Sequence, residues 1–133
     1  MQDFKKIKIW QRAYDFTIEV YKATLTFPQE EKFGLTSQLR RATASIPINI
    51  SEGAGRDSKK DFANFVQIAI GSSSEVECEL LLARDLGYLD KNLYDFLDDE
   101  LKEIRKMMYY FRKSLLTKTE NWELKTENSS IHI

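Results

Sequence analysis

Six polar residues, Gln38, Arg41, Ser45, Asn49, Glu52 and Arg56, recur at steps of three and four, the spacing of one face of an α-helix. An ordinary solvated face has no need of guanidinium, hydroxyl, amide and carboxylate groups in one line. Such a line is either a polar seam between packed helices, in which both signs of charge find partners, or a surface on which Arg41 and Arg56 meet phosphate. Glu52 on the same stripe favours the seam. Arg41, Ser45, Asn49, Glu52 and Arg56 are therefore expected to form a structural polar network, inside the fold or at a subunit boundary. A second set is Lys102, Arg105, Lys106, Arg112 and Lys113, with Tyr109 among them. Cations flanking an aromatic ring suit a phosphate backbone and a stacking base, so these five, together with Arg40, are the expected nucleic-acid-binding residues. The competing reading for them is a plain solvated face.

Catalytic constellations are harder to assemble. The one histidine, His132, stands next to the last residue. No Glu-x-x-His pair is present for a di-iron site in a helical bundle, and no Ser–His or Cys–His nucleophile pair can be drawn. Cys78 reads as a small core filler. Glu75, Glu77 and Glu79 could do acid–base work, but a solvated acidic face is the better reading. Gly53-Ala-Gly55 lacks the lysine and the preceding strand of a phosphate-cradling loop, and Gly71-Ser-Ser-Ser74 suits close helix packing. The chain is expected not to be an enzyme and to carry neither metal nor cofactor.

These residues sit on four amphipathic segments. Around Ile7 and Ile9 the chain alternates, as an extended lead-in would. A first helix then runs from Lys8 or Trp10 to Phe27, where Pro28 disfavours helix in the residue before it. Leu35, Leu39, Ala42, Ile46, Ile50 and Gly53 form the apolar face of a second helix, with Thr36 as its N-cap. Pro47 lies within it, removes an amide and predicts a kink near Thr43. Ser58 with Asp61 opens a third helix in the manner of a capping box, and Gly87 closes it. Leu93, Leu97, Leu101, Ile104, Met108, Phe111 and Leu115 give the fourth helix a near-heptad seam. Short connections predict an all-α, antiparallel, up-down-up-down four-helix bundle over residues 1–116, with 117–133 as a polar, flexible C-terminal tail.

Composition agrees. A chain of 133 residues with 42% hydrophobic and 31% charged content makes one globular domain. No run of about 18 apolar residues and no apolar signal core are present, so a cytoplasmic protein that does not enter membranes is expected. The net charge of −1 hides segregation. Residues 1–60 hold 11 basic and 7 acidic groups, residues 61–100 hold 2 and 10, and residues 101–133 hold 7 and 4. Basic and acidic sides of that kind suit head-to-tail self-association or a local anion site, rather than wholesale coating of nucleic acid.

The motifs Gln38-Leu-Arg-Arg-Ala, Ser45-Ile-Pro-Ile-Asn-Ile-Ser-Glu-Gly53, Phe62-x-x-Phe65 and Ala69-x-Gly-Ser72-x-x-Glu75 resemble those of the 23S rRNA intervening-sequence proteins. Trp10, Ala13, Tyr21, Phe27-Pro28, Gly34-Leu35 and Leu86-Gly87-Tyr88 agree as well, so the resemblance spans residues 8–116. Ser51 departs from it, at a position where the family pattern usually has alanine. The resemblance implies a left-turning four-helix bundle closing into a homopentameric ring. It also implies kinship with the accessory variability protein of diversity-generating retroelements, which binds nucleic acid and a reverse transcriptase through a basic surface. The expected function is thus a non-enzymatic homo-oligomer that binds RNA or structured DNA. The alternative is a protein–protein interaction scaffold that binds no nucleic acid directly.

Overall fold

The computed structural model describes residues 3–131, with side chains described for residues 3–117. Four α-helices follow one another: α1 (Lys8–Thr24), α2 (Leu35–Ala54), α3 (Lys59–Asp85) and α4 (Lys91–Ile131). No strand occurs among the described residues. Each helix packs on its neighbours in sequence, and α4 closes the bundle against α1. Cross-contacts pair residues whose numbers run in opposite senses. Arg40 meets Thr24 and Thr43 meets Thr17, while Ser45 meets Ser72 and Gly53 meets Phe62. Among the described residues no helix is long and apolar enough to cross a membrane.

The core joins the apolar faces predicted for the second and fourth helices to residues of α1 and α3. Val20, Ile46, Ile50, Val66, Val76, Leu80, Leu97, Leu101, Ile104 and Met108 are fully buried. Withdrawing each from water stabilises the fold by roughly 1.5–3 kcal/mol before entropy is counted. Leu93 and Phe111, expected on the seam of the fourth helix, are half-buried at its margins.

The caps are local chemistry, and one departs from expectation. Ser58 accepts a hydrogen bond from the Asp61 amide at 3.0 Å and starts α3 as predicted. Gly87 takes φ +81° after α3. The Tyr88 amide donates to the Ala83 carbonyl and the Gly87 amide to that of Arg84, the paired closure that needs a left-handed residue. Thr36, by contrast, does not cap α2. The helix begins at Leu35, whose amide donates to Glu31 Oε1 at 3.1 Å, while Glu31 Oε2 accepts the Tyr88 hydroxyl at 2.9 Å. One carboxylate thus caps α2 and ties it to the loop after α3. That bond holds the Tyr88 phenol above its ordinary pKa. The expected extended lead-in is also different: residues Phe4–Lys6 make a 3-10 turn capped by Asp3. The backbone of α4 continues helical to Ile131, past the boundary placed at residue 116; the side chains beyond residue 117 and His132 lie outside the described residues.

Pro47 is buried inside an α2 that runs unbroken from Leu35 to Ala54. Having no amide, it leaves the Thr43 carbonyl without its helical donor. The Thr17 hydroxyl of α1, 2.8 Å from its own Ala13 carbonyl, also lies 3.4 Å from the Thr43 carbonyl. Thr17→Val is expected to cost about 1 kcal/mol, the worth of a buried hydrogen bond. In a Pro47→Ala background, where residue 47 regains an amide, that cost should shrink. Urea denaturation of the four proteins in the cycle measures this coupling, and additive losses would contradict it.

Candidate nucleic-acid interface

The structure divides the six expected nucleic-acid residues. Arg40 is spent within the bundle: its Nε donates to Thr24 Oγ1 at 2.7 Å, and its guanidinium lies 4.8 Å from the Tyr21 ring. Arg105 is also committed. Its Nε donates to Ser73 Oγ at 2.8 Å, and it pairs with Glu77 at 2.7 Å. Lys102 pairs with the buried Asp98 at 2.8 Å, which holds its ammonium above the ordinary lysine range. Arg112 is half-buried, and its Nε has no hydrogen-bond partner among the described residues. Lys106 and Lys113 are exposed and make no ion pair among the described residues. Tyr109 and Tyr110, 55% and 58% exposed, lie between them in the chain.

These two lysines belong to a larger basic end of the bundle. Phe111 stacks edge-on to Phe62 near the start of α3, ring centroids 5.2 Å apart. With Ile9 at the start of α1 it also lines a cavity of about 480 Å³, shared with Glu103, Lys106, Met107 and Tyr110. Helix starts carrying Lys8, and Lys59 with Lys60, therefore come to the end of the bundle that carries Lys106, Arg112 and Lys113; all but Arg112 are exposed. Sequence reasoning missed Lys8, Lys59 and Lys60. The basic excess of residues 1–60 was the available signal, but only the fold brings that segment beside residues 106–113. The opposite end, where Tyr88 meets Glu31, carries Glu30, Asp85, Asp90 and Asp95.

The polar stripe of α2 is on one face, as its spacing predicts, but within one chain it does not close on itself. Ser45 donates to the Ala42 carbonyl at 2.7 Å and shares a hydrogen bond with Ser72 at 2.6 Å. Asn49 donates to the Ser45 carbonyl at 2.8 Å. Arg56 covers the Phe65 ring at 4.6 Å. Arg41 and Glu52 are exposed and form no ion pair among the described residues. Within the single chain Arg41, Asn49 and Glu52 therefore do not pair with one another: Ser45 and Asn49 are half-buried, with Ser45 at the α2–α3 boundary against Ser72, while Arg41 and Glu52 stand on the exposed side of the stripe.

Two further groups depart from their readings. Cys78 is exposed on α3, not a core filler, because its neighbours Val76 and Leu80 take the inward positions. Glu79 is buried, not solvated, and its Oε1 has no hydrogen-bond partner among the described residues. Burial, with the negative charge of and a hydrogen bond to Glu75, pushes its carboxyl up to about 7. No group of three or more metal-ligating side chains occurs among the described residues.

A family model described as 23S rRNA-intervening sequence protein matches residues 5–110. Among solved structures, one similar chain comes from Bacteroides thetaiotaomicron, a protein of unknown function from the S23 ribosomal protein family. It is 24% identical, with a TM-score of 0.73, over 79% of this chain and 95% of that one. At that identity the likeness speaks for the fold alone. No curated protein matches the chain.

Proposed function

The chain belongs to the 23S rRNA-intervening sequence protein family, and from that premise we propose that it is a non-enzymatic, cytoplasmic helical bundle that assembles as a homo-oligomer and binds nucleic acid through its basic end. The observation that carries this reading is the gathering of Lys8, Lys59, Lys60, Lys106 and Lys113, all exposed, beside exposed Tyr109 and Tyr110. Cations track the phosphate backbone without reading sequence, and the tyrosines offer faces on which unpaired bases stack. Single-stranded or structured RNA, or structured DNA, fits that surface better than a specific duplex site. Arg40, Lys102 and Arg105 support the bundle and are left out of the interface.

The assembly is a closed ring of five, as the resemblance implies. A ring repeats a weak basic surface five times on one particle, so modest contacts act together through effective concentration. Light scattering at micromolar concentration should return five times the chain mass, and heparin should retain the protein at moderate salt despite an overall pI near 5.9. A stable monomer overturns the ring. Passage through heparin unretained overturns the focused basic end and favours the protein-scaffold reading.

A further inference from the structure

The cavity of about 480 Å³ at the basic end holds more than cations. Its volume lies within the roughly 300–1,000 Å³ of small-ligand sites. Glu103, Lys106, Met107 and Tyr110 stand at helical spacing on one face of α4, and Ile9 lines the cavity from the start of α1. Ile9 is buried and Phe111 is half-buried against Phe62, so the two give the cavity an apolar floor. Met107 completes that floor and is held from α1, where Arg12 Nη1 lies 3.5 Å from its Sδ. The same guanidinium donates to Glu100 at 3.0 Å and is spent there. Glu103, one turn further along α4, is exposed and makes no ion pair among the described residues, and Lys106 is in the same condition. The Tyr110 ring, exposed, meets Tyr109 edge-on at 5.4 Å.

Glu103 is out of place on a surface that only tracks phosphate. Among lysines that meet a backbone, a carboxylate repels the same backbone. It suits that ligand only where a base edge, and not a phosphate, turns toward it. Single-stranded RNA can present such an edge, because its unpaired bases splay out of the stack. Of the four Watson–Crick edges, guanine alone sets two donors side by side, its N1–H and its exocyclic amino group, and these match the two oxygens of a carboxylate. Adenine and cytosine offer an amino donor next to a ring-nitrogen acceptor, and the uracil N–H lies between two carbonyls. In each of those a lone pair would face the carboxylate. We propose that the cavity takes one unpaired guanine base of a single-stranded RNA. Its Watson–Crick edge meets Glu103, its face stacks on Tyr110 over the floor of Ile9, Met107 and Phe111, and its phosphate meets Lys106. This assignment rests on the nucleic-acid reading of the basic end and adds a base preference that lysines alone cannot supply.

The test uses the full chain and three short, fluorescently labelled uridine strands that differ only at one central residue, guanosine, inosine or uridine. Anisotropy at low salt reads each affinity. The parent should bind the guanosine strand at least about fivefold more tightly than the uridine strand, the low end of what a bidentate base contact is worth. Inosine, which keeps the N1–H and lacks the amino group, should fall between them. Glu103 is exposed, so Glu103→Gln should match the parent's helicity by circular dichroism. The variant should lose most of the guanosine preference, because an amide has one acceptor where the carboxylate has two. It should bind the uridine strand as tightly as the parent or more tightly, since a negative charge has left the surface. A parent indifferent to the central base, or a Glu103→Gln variant that keeps the parent's preference, makes Glu103 an ordinary surface charge and overturns the pocket while the basic end stands. Failure to bind any of the strands overturns the nucleic-acid reading and the pocket with it.

Discussion

Gly53→Ala is expected to destabilise the bundle by roughly 1–3 kcal/mol, the cost of overpacking a closed interface. On an open helix surface the same change would gain about 1 kcal/mol. The sign reverses because a Cβ at Gly53 would stand 2.7 Å from Phe62 Cδ1 and 2.9 Å from Phe65 Cβ. Phe62 is buried and stacks edge-on to Phe111 of α4, so it cannot swing away without disturbing α3 and α4 together. Phe65 is held from outside by the Arg56 guanidinium. Only glycine lets α2 and α3 approach this closely. Thermal and urea denaturation read the effect directly, and a midpoint equal to or above that of the parent would contradict it. Gly71, where a Cβ would meet nothing within 4 Å, is the control, and Gly71→Ala should stabilise or be neutral.

Lys106→Glu combined with Lys113→Glu is expected to weaken binding to unrelated single-stranded RNAs by similar factors, on the order of tenfold to a hundredfold at low salt. Both side chains are exposed and outside the Leu97–Leu115 seam, so folding and oligomer size should survive. Each lost phosphate contact on a single strand also removes about 0.7 from the slope of log affinity against log salt, so the slope should become shallower by roughly 1.4. Lys102→Gln gives the contrast. That ammonium already pairs with Asp98 and should contribute much less to binding. Equal binding by the double variant and the parent at the same salt would place the interface elsewhere.

The fold was legible where its determinants are local. Ser58 with Asp61, Gly87 after Asp85, and the Leu97–Leu101–Ile104–Met108 seam each announce themselves within a few residues, and the structure has them where expected. The start of α2 was not legible, since its cap is the carboxylate of Glu31 reaching forward from the preceding turn, whereas residue type at the boundary points to Thr36. Periodicity put Gln38, Arg41, Ser45, Asn49, Glu52 and Arg56 on one face, but periodicity is blind to what covers a face. Glu79 and Cys78 exchanged roles for the same reason: on a helix flanked by two others, three-residue steps decide between core, groove and solvent. The basic end was least legible of all, because it joins lysines from the beginning of α1, the beginning of α3 and the middle of α4.

The central claim, that this basic end binds nucleic acid, is tested most directly by titrating the unmodified protein against fluorescently labelled single-stranded RNA. Anisotropy would be followed at salt concentrations from about 50 to 200 mM, the range over which phosphate contacts lose most of their strength. Saturable binding at low salt, with log affinity falling against log salt at a slope of about −2 or steeper, is the predicted result. No binding at the lowest salt, or binding indifferent to salt, would contradict it.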